Sequence, residues 1–417
     1  MASIDSSAAI QIIRRALGGI DTELVSHGDR VAYILYKMLA YQGKYSKDEM
    51  QKIFVLAILH DIGAYKTDEP GVLLKFEYAQ VWPHSVYGYF YLKYLSPYKD
   101  LARVLLYHHL DYDKSKRIKY QHMDIAAMLN VADKVELLLR SGKEGAGRLK
   151  THSGTKYSPN ALQVFHYADG KYRILDHLKD GSYLSENDTI ISDINWSKGG
   201  CKQILQLLVY AIDFKNEETA LRNISTNNIA QYLGENLGLT PDELESLQFA
   251  ALTYDLGMLG IPSDILNAPR KLTDEEQKTV REHIQATGEI LQDLVSEDIY
   301  NIAMRHHERT DGSGYPEGLQ GTSLTLPERI LAVADTIAAM GTRKSYRAPM
   351  QKNEVLQVLQ KEIDVGRLCP EVTGYAIQNY DDMKATAGIR NAEVMEYYLA
   401  IKDQFGTIIQ EFEKHDQ

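Results

Sequence analysis

Side chains able to hold transition-metal ions occur in this sequence in one order, and the same order returns downstream at nearly matching intervals with some of them replaced. The first set is His27, the adjacent pair His60 and Asp61, His84, the doublet His108 and His109, and Asp133. Its counterparts are Ser225, the pair Tyr254 and Asp255, His283, the doublet His306 and His307, and Asp335. Imidazole nitrogen together with carboxylate oxygen favours first-row ions over magnesium or calcium, which prefer all-oxygen shells. Iron or manganese is expected first, with nickel and zinc as further options. The expected assignment puts His27, His60, Asp61 and Asp133 around one ion and Asp61, His84, His108 and His109 around a second. Glu23, four residues before His27 and so on the same helical face, is available to a third. Ions about 3.5–4 Å apart can share a water, lower its pKa towards roughly 7 and neutralise both an attacked phosphate and the leaving oxygen. Hydrolysis of a phosphoester is the chemistry this set suits, with Asp61 at its centre. A lone histidine in a helix is more often a packing or surface residue, and His122, His152, His166, His177 and His415 are read that way.

Helices must position these groups, because apolar residues recur at three- and four-residue intervals and strand-like alternation is rare. Ile53, Leu56, Ala57 and Leu59 lead into His60 in the first copy; Leu244, Leu247, Ala251 and Leu252 lead towards Tyr254 in the second. The latter run opens with Thr240-Pro241-Asp242-Glu243, an N-cap, a first-turn proline and acids that complement the helix dipole. Neighbouring residues on a helix point about 100° apart, so His60 and Asp61 are expected on a helix, each facing a different ion. The fold class is therefore all-α: two tandem helical bundles joined by a linker and a connecting helix. Residues 1–200 form the first domain, with the complete ligand set, and 201–417 the second, with the eroded one. Between Gly142 and Gly200 the helical pattern weakens, and Tyr172 to Leu175 reads as extended. A connecting helix is expected from Cys201 to Phe214 and a terminal one from Asn391 to Lys414. Tyr87, Tyr91, Tyr94 and Tyr98 make one helical face, read as packing rather than base stacking; Tyr89 lies off it.

A length of 417 residues exceeds the usual single core and agrees with two domains. The apolar share of 44% and charged share of 25% are ordinary for a globular chain, and no run approaches the roughly 20 apolar residues of a membrane span. The opening residues lack the basic-then-apolar order of a signal peptide, so a cytoplasmic location is expected. Cys201 and Cys369 are too few for a disulfide framework or a thiolate cage. A net charge of −11 argues against a nucleic-acid polymer as partner, so an anionic substrate needs a local positive centre, which bound metal ions supply.

The ligand series resembles the HD superfamily of metal-dependent phosphohydrolases, and the second copy resembles its HD-GYP branch, the cyclic dinucleotide phosphodiesterases. The second likeness rests on His306-His307-Glu308-Arg309-Thr310-Asp311-Gly312-Ser313-Gly314-Tyr315-Pro316-Glu317-Gly318. Gly260-Ile261-Pro262, Ile265-Leu266-Asn267, Lys271-Leu272-Thr273, Pro327-Glu328-Arg329-Ile330-Leu331, Ala334-Asp335 and Tyr346-Arg347 extend it over nearly all of 201 to 380. In the first copy the likeness covers the ligand positions and Ser153 to Pro159, while Leu110-Asp111-Tyr112-Asp113-Lys114 stands where the G-Y-P loop would be. The family's lysine three residues after the HD aspartate is replaced by Ala64 and Met258. Lys66, Arg140 and Lys143 are then the candidates for holding substrate phosphate.

The resemblance implies that the first domain hydrolyses a cyclic dinucleotide, cyclic di-GMP or cyclic GMP-AMP, through a metal-bound hydroxide. Ser225 and Tyr254 replace two imidazoles of the second copy, so Asp255, His283, His306, His307 and Asp335 are expected to form a degenerate site with a regulatory or binding role. The loop from Asp311 to Gly318 is implied to contact substrate or a diguanylate cyclase, with equal weight on a purely structural turn, and Lys344 and Arg347 match a basic arm that reaches the substrate. A second copy of the chain is a further expected partner. Two other readings compete. One is a sensor or scaffold that binds without turnover, favoured by the eroded site and the absent lysine; the other is hydrolysis of a different nucleotide or a phosphomonoester, favoured by the missing G-Y-P loop.

Overall fold

The computed structural model describes residues 4–67, 82–142, 147–213, 217–266, 268–342 and 348–416. Lys143, Phe214, Asn267, Lys344, Tyr346 and Arg347 lie outside the described residues. Among the described residues every regular element is helical, with only isolated bridges at Ser153–Tyr157 and Asp311–Gln320. No helix is long and apolar enough to cross a membrane among these residues. The chain divides into two compact units. One comprises Asp21–Leu207 with Leu399–Gln417, the other Met1–Ile20 with Leu208–Tyr398.

In the unit built on Asp21–Leu207, the Thr22–Gln42 helix is central. The Asp21 carboxylate caps its start by accepting from the backbone N–H groups of Glu23 and Leu24, and Gly43, at φ 65°, ends it in a left-handed turn. Its buried face, including Val31, Ile34, Leu35 and Met38, packs against the Lys47–Ile58, Met123–Arg140 and Pro159–Tyr172 helices. A capping box between Ser46 and Glu49 opens the Lys47–Ile58 helix. That helix stops at Ile58, so His60 and Asp61 stand in the turn beyond it rather than on the helix expected from the sequence. The reason is Gly63: a Cβ there would lie 2.0 Å from the carbonyl oxygen of His84 and 2.7 Å from the amide nitrogen of Gly88. The chain must leave the helix to let this backbone come so close, and only glycine permits it.

The tyrosine face of the Trp82–Leu95 helix is packing. Tyr91 is wholly buried, and Tyr87 stacks on Phe405 with ring centroids 4.3 Å apart. The stretch from Gly142 to Gly200 is more helical than its sequence suggests, with helices at Pro159–Tyr172, Ile174–Asp180 and Tyr183–Ser192. Tyr172 to Leu175 is not extended. Arg173 adopts a left-handed φ of 54° between two helices, and the Asp169 carboxylate accepts from the Leu175 amide to hold the bend. The terminal helix also begins earlier than expected, running from Tyr380 to Asp416.

The second unit repeats the order. Its helices include Glu217–Asn236, Pro241–Thr253, His283–Leu291, Glu297–Met304 and Leu326–Gly341. Thr240 and Glu243 form the capping box of the Pro241–Thr253 helix, with Pro241 in its first turn. Gly257 reproduces the Gly63 approach, since a Cβ there would lie 2.0 Å from the carbonyl oxygen of His283 and 2.7 Å from the Thr287 amide nitrogen. The Ser6–Gly18 helix belongs to this unit and buries Ile10, Ile12 and Ile13. Its Arg15 guanidinium donates to the carbonyls of Glu289, Ile290 and Gln292 at 3.2, 3.3 and 2.7 Å, which satisfies the end of the His283–Leu291 helix.

Candidate metal centre

Five segments deliver the first ligand set to one place. His27 comes from the second turn of the Thr22–Gln42 helix and Asp133 from the Met123–Arg140 helix; His60 and Asp61 come from the turn after Ile58. His84 sits in the first turn of the Trp82–Leu95 helix, and His108 and His109 follow the Ala102–Tyr107 helix. Asp61 lies between two groups. Its Oδ2 is 3.3 Å from His60 Nε2 and 3.7 Å from His27 Nε2, while its Oδ1 is 3.4 Å from His84 Nε2 and 3.9 Å from His108 Nε2. Asp133 Oδ1 is 3.3 Å from His27 Nε2, and His109 Nε2 is 3.1 Å from His84 Nε2. Ligand atoms of Asp61, His84, His108 and His109 all fall within 4.8 Å of one another, as do those of His27, His60 and Asp133.

The chemistry of these donors fits cations. The Nδ1–H of His60 donates to the Ala57 carbonyl at 2.8 Å and that of His108 to the Leu105 carbonyl at 2.6 Å, tautomers assigned from these bonds. Each ring therefore turns a bare Nε2 lone pair inward. Both Nε2 atoms are sealed from solvent and have no hydrogen-bond partner among the described residues, an arrangement that is costly unless a cation accepts the lone pairs. Burial, reinforced by His60 and His84, pushes the His108 pKa down to about 3, and burial also lowers His60, so both stay neutral and able to ligate. Burial opposes charge on Asp61, yet the surrounding histidines hold its pKa below the usual carboxylate value.

Two residues of this centre were missed from the sequence. Glu136, fully buried, accepts the Nδ1 proton of His27 at 2.6 Å and the Nε–H of Arg30 at 2.8 Å. Burial disfavours a charged His27, but its hydrogen bonds to Asp133 and Glu136 prevail and raise its pKa to about 10. A carboxylate behind a ligating imidazole fixes the ring and its tautomer. Glu136 lies three residues after Asp133 on the same helical face, a spacing that could have revealed it. Lys134, whose Nζ is 3.1 Å from Asp133 Oδ2, gave no such signal, because a residue adjacent to a ligand on a helix is expected to point away.

Other candidates stand apart. Glu23 is exposed and paired with Arg140, and it joins neither ligand group. Arg140 also donates to Glu136 at 3.2 Å, so two carboxylates engage it. Lys66 is half-buried on the short Ala64–Thr67 helix that follows the ligand turn.

In the second unit Asp255 Oδ1 is 3.4 Å from His283 Nε2 and 3.7 Å from His306 Nε2, and His283, His306 and His307 cluster. The opposite half is filled by other groups. The Tyr254 ring meets His306 edge-on at 4.7 Å, with its hydroxyl 3.1 Å from Asp335 Oδ1 and 3.2 Å from Thr226 Oγ1. The Ser225 hydroxyl accepts from Asn391 Nδ2 at 2.9 Å. Arg222, also missed from the sequence, places Nη2 2.8 Å from Asp335 Oδ1 and 3.8 Å from Asp255 Oδ2. Next to this site, buried Glu308 organises the glycine-rich loop by accepting from the amides of Glu317, Gly318 and Leu319 at 2.7, 3.1 and 2.9 Å.

Known proteins give the same outline. The HD domain family model matches residues 24–140, and a second HD domain model matches 206–372. The chain is 29% identical over 402 residues to 3'3'-cGAMP-specific phosphodiesterase 1 of Vibrio cholerae, covering 90% of this chain and 92% of that protein. It is 32% identical over 179 residues to the cyclic di-GMP phosphodiesterase response regulator RpfG of Xanthomonas campestris, covering 42% of this chain and 47% of the other. Among solved structures it is similar to the V. cholerae cyclic GMP-AMP specific phosphodiesterase V-cGAP3, at a TM-score of 0.55 and 17% identity, over 90% of this chain and 98% of that one. At that identity the likeness carries the fold alone.

Proposed function

The chain belongs to the HD-domain proteins, with one such domain in each half, and from that premise we propose that it is a metal-dependent phosphodiesterase whose working centre is the N-terminal one and whose substrate is a cyclic dinucleotide. The observation that carries this is the position of Asp61, whose two carboxylate oxygens face two separate histidine groups. Ions held by His27, His60, Asp61 and Asp133, and by Asp61, His84, His108 and His109, would supply an activated water and positive charge for the phosphoryl group. The protein's own part is positional. Asp61 joins the two halves, Glu136 fixes His27 through its Nδ1 proton, and the carbonyls of Ala57 and Leu105 aim His60 and His108. Lys134, beside Asp133, provides a fixed cation near the centre and is proposed to hold substrate phosphate; Lys66 is the second candidate for that role.

Cyclic GMP-AMP and cyclic di-GMP are the favoured substrates, because the relatives named above carry those names and one matches along nearly the whole chain. The second unit is proposed to regulate or bind. Contact of the Asp311 to Gly318 loop with a diguanylate cyclase follows from the resemblance, and pairing of two copies is a further proposed association. A second substrate reading, another nucleotide or a phosphomonoester, is favoured by the absence of a G-Y-P loop after His109. Assaying a panel of cyclic dinucleotides, mononucleotides and phosphomonoesters with the wild type and Asp61→Ala decides between them. Turnover of a cyclic dinucleotide that disappears in Asp61→Ala supports the proposal, and turnover confined to the other compounds overturns it.

A further inference from the structure

The second unit keeps two buried carboxylates, Asp255 and Asp335, in the places that Asp61 and Asp133 hold in the first. Buried carboxylates that lack a compensating cation cost several kcal/mol in effective terms, so each pair needs a positive charge nearby. In the second unit that charge is covalently part of the chain. We propose that Arg222 takes the place of one metal ion of a dinuclear pair, giving the cradle between Asp255 and Asp335 a permanent cation that excludes an ion from that half.

Three features support the substitution. Arg222 lies three residues before Ser225, one turn back on the Glu217–Asn236 helix, so the guanidinium enters from the helix that carried a histidine ligand in the first copy. Its Nη2 and Nε reach Asp335 Oδ1 at 2.8 and 3.2 Å, and Nη2 is 3.8 Å from Asp255 Oδ2. The remaining room and hydrogen-bonding capacity are committed as well: Tyr254 fills the place of His60 and reaches Asp335, and Asn391 engages Ser225. The loss of two imidazoles and the presence of the arginine are therefore one change. With its nitrogen ligands gone that half cannot compete for a transition metal, and with Arg222 present it has no electrostatic need of one. The inference does not depend on which reaction the first unit catalyses.

The test uses the full chain, loaded with Mn(II) and freed of excess metal before the ions per chain are counted. Ser225→His with Tyr254→His, Arg222 retained, is expected to hold no more metal than the wild type. Adding Arg222→Leu to that pair is expected to raise the count by about one ion per chain. An extra ion in the double variant, or none in a folded triple variant, overturns the proposal. Thermal unfolding in excess chelator gives an independent reading that needs no restored site. Arg222→Leu alone strands two buried carboxylates and is expected to lower the melting temperature of its unit by about 6 °C or more, with Arg222→Lys losing less. An unchanged melting temperature for Arg222→Leu overturns the proposal.

Discussion

Glu136 accepts the Nδ1 proton of His27 at 2.6 Å, and that single bond turns the opposite nitrogen of the ring towards Asp133 and Asp61. Glu136→Gln keeps the shape and removes the charge. It is expected to lower metal affinity about 10- to 100-fold while every proposed ligand stays in place. Titration against a competing chelator measures this, and an unchanged affinity removes Glu136 from the centre.

The same pairing sets a pH dependence. In the ion-free chain burial disfavours a charged His27, but hydrogen bonds to Asp133 and Glu136 outweigh it and raise the pKa from the ordinary 6.5 to about 10. The stabilisation this gives is complete below the unfolded value and is lost as pH rises through about 10. A ligating ion must displace the Nε2 proton, so apparent metal affinity is expected to climb as pH rises towards about 10 and to level off above it, by up to about tenfold per pH unit. His108 works in the opposite sense. Its pKa, pushed down to about 3, means that the unfolded chain takes up a proton the native state refuses, so ion-free stability falls as pH drops from 6.5 towards 3. Mn(II) titrations at several pH values check the first expectation, and chelator-treated unfolding curves check the second.

Gly63→Ala would drive a methyl group into the backbone of His84. The expected cost is about 2 kcal/mol or more, with loss of metal because His84 is displaced. Gly170→Ala, in the Pro159–Tyr172 helix of the same unit with nothing within 4 Å of the added carbon, is the control. It should be neutral or stabilise by up to about 1 kcal/mol. Melting temperatures and metal content of the two variants separate a specific close approach from a general intolerance of substitution.

Lys134→Gln is expected to raise KM for the cyclic dinucleotide about tenfold or more, through loss of a charge-assisted hydrogen bond to phosphate, with ions per chain unchanged. A fall in metal content instead would make Lys134 a support for Asp133 rather than a substrate contact.

Much of this was legible in the sequence. Helical periodicity gave two all-α bundles, and the paired histidine and aspartate spacing named the side chains that converge around Asp61. The Thr240 cap could be read directly, because the amide it accepts from is only three residues away. What was missed depends on long-range approach. Glu136 meets His27 across 109 positions, and Arg222 meets Asp335 across 113. The turn at His60 and Asp61 was mistaken for helix because the apolar run continues to Leu59, while the constraint that ends it, the backbone of His84 pressing on Gly63, lies in another helix. Tyr172 to Leu175 failed for the opposite reason: a left-handed Arg173 between two helices leaves an apolar pattern that imitates an extended segment.

Two single substitutions assign hydrolysis to one unit. Rates for the metal-loaded wild type, His60→Ala and His306→Ala should be compared on cyclic GMP-AMP and cyclic di-GMP, with ions per chain counted in each preparation. His60→Ala is expected to fall to background and to lose metal from the first centre, while His306→Ala keeps most of the wild-type rate. Loss of turnover in His306→Ala with the rate preserved in His60→Ala would contradict this assignment and place the chemistry in the second unit.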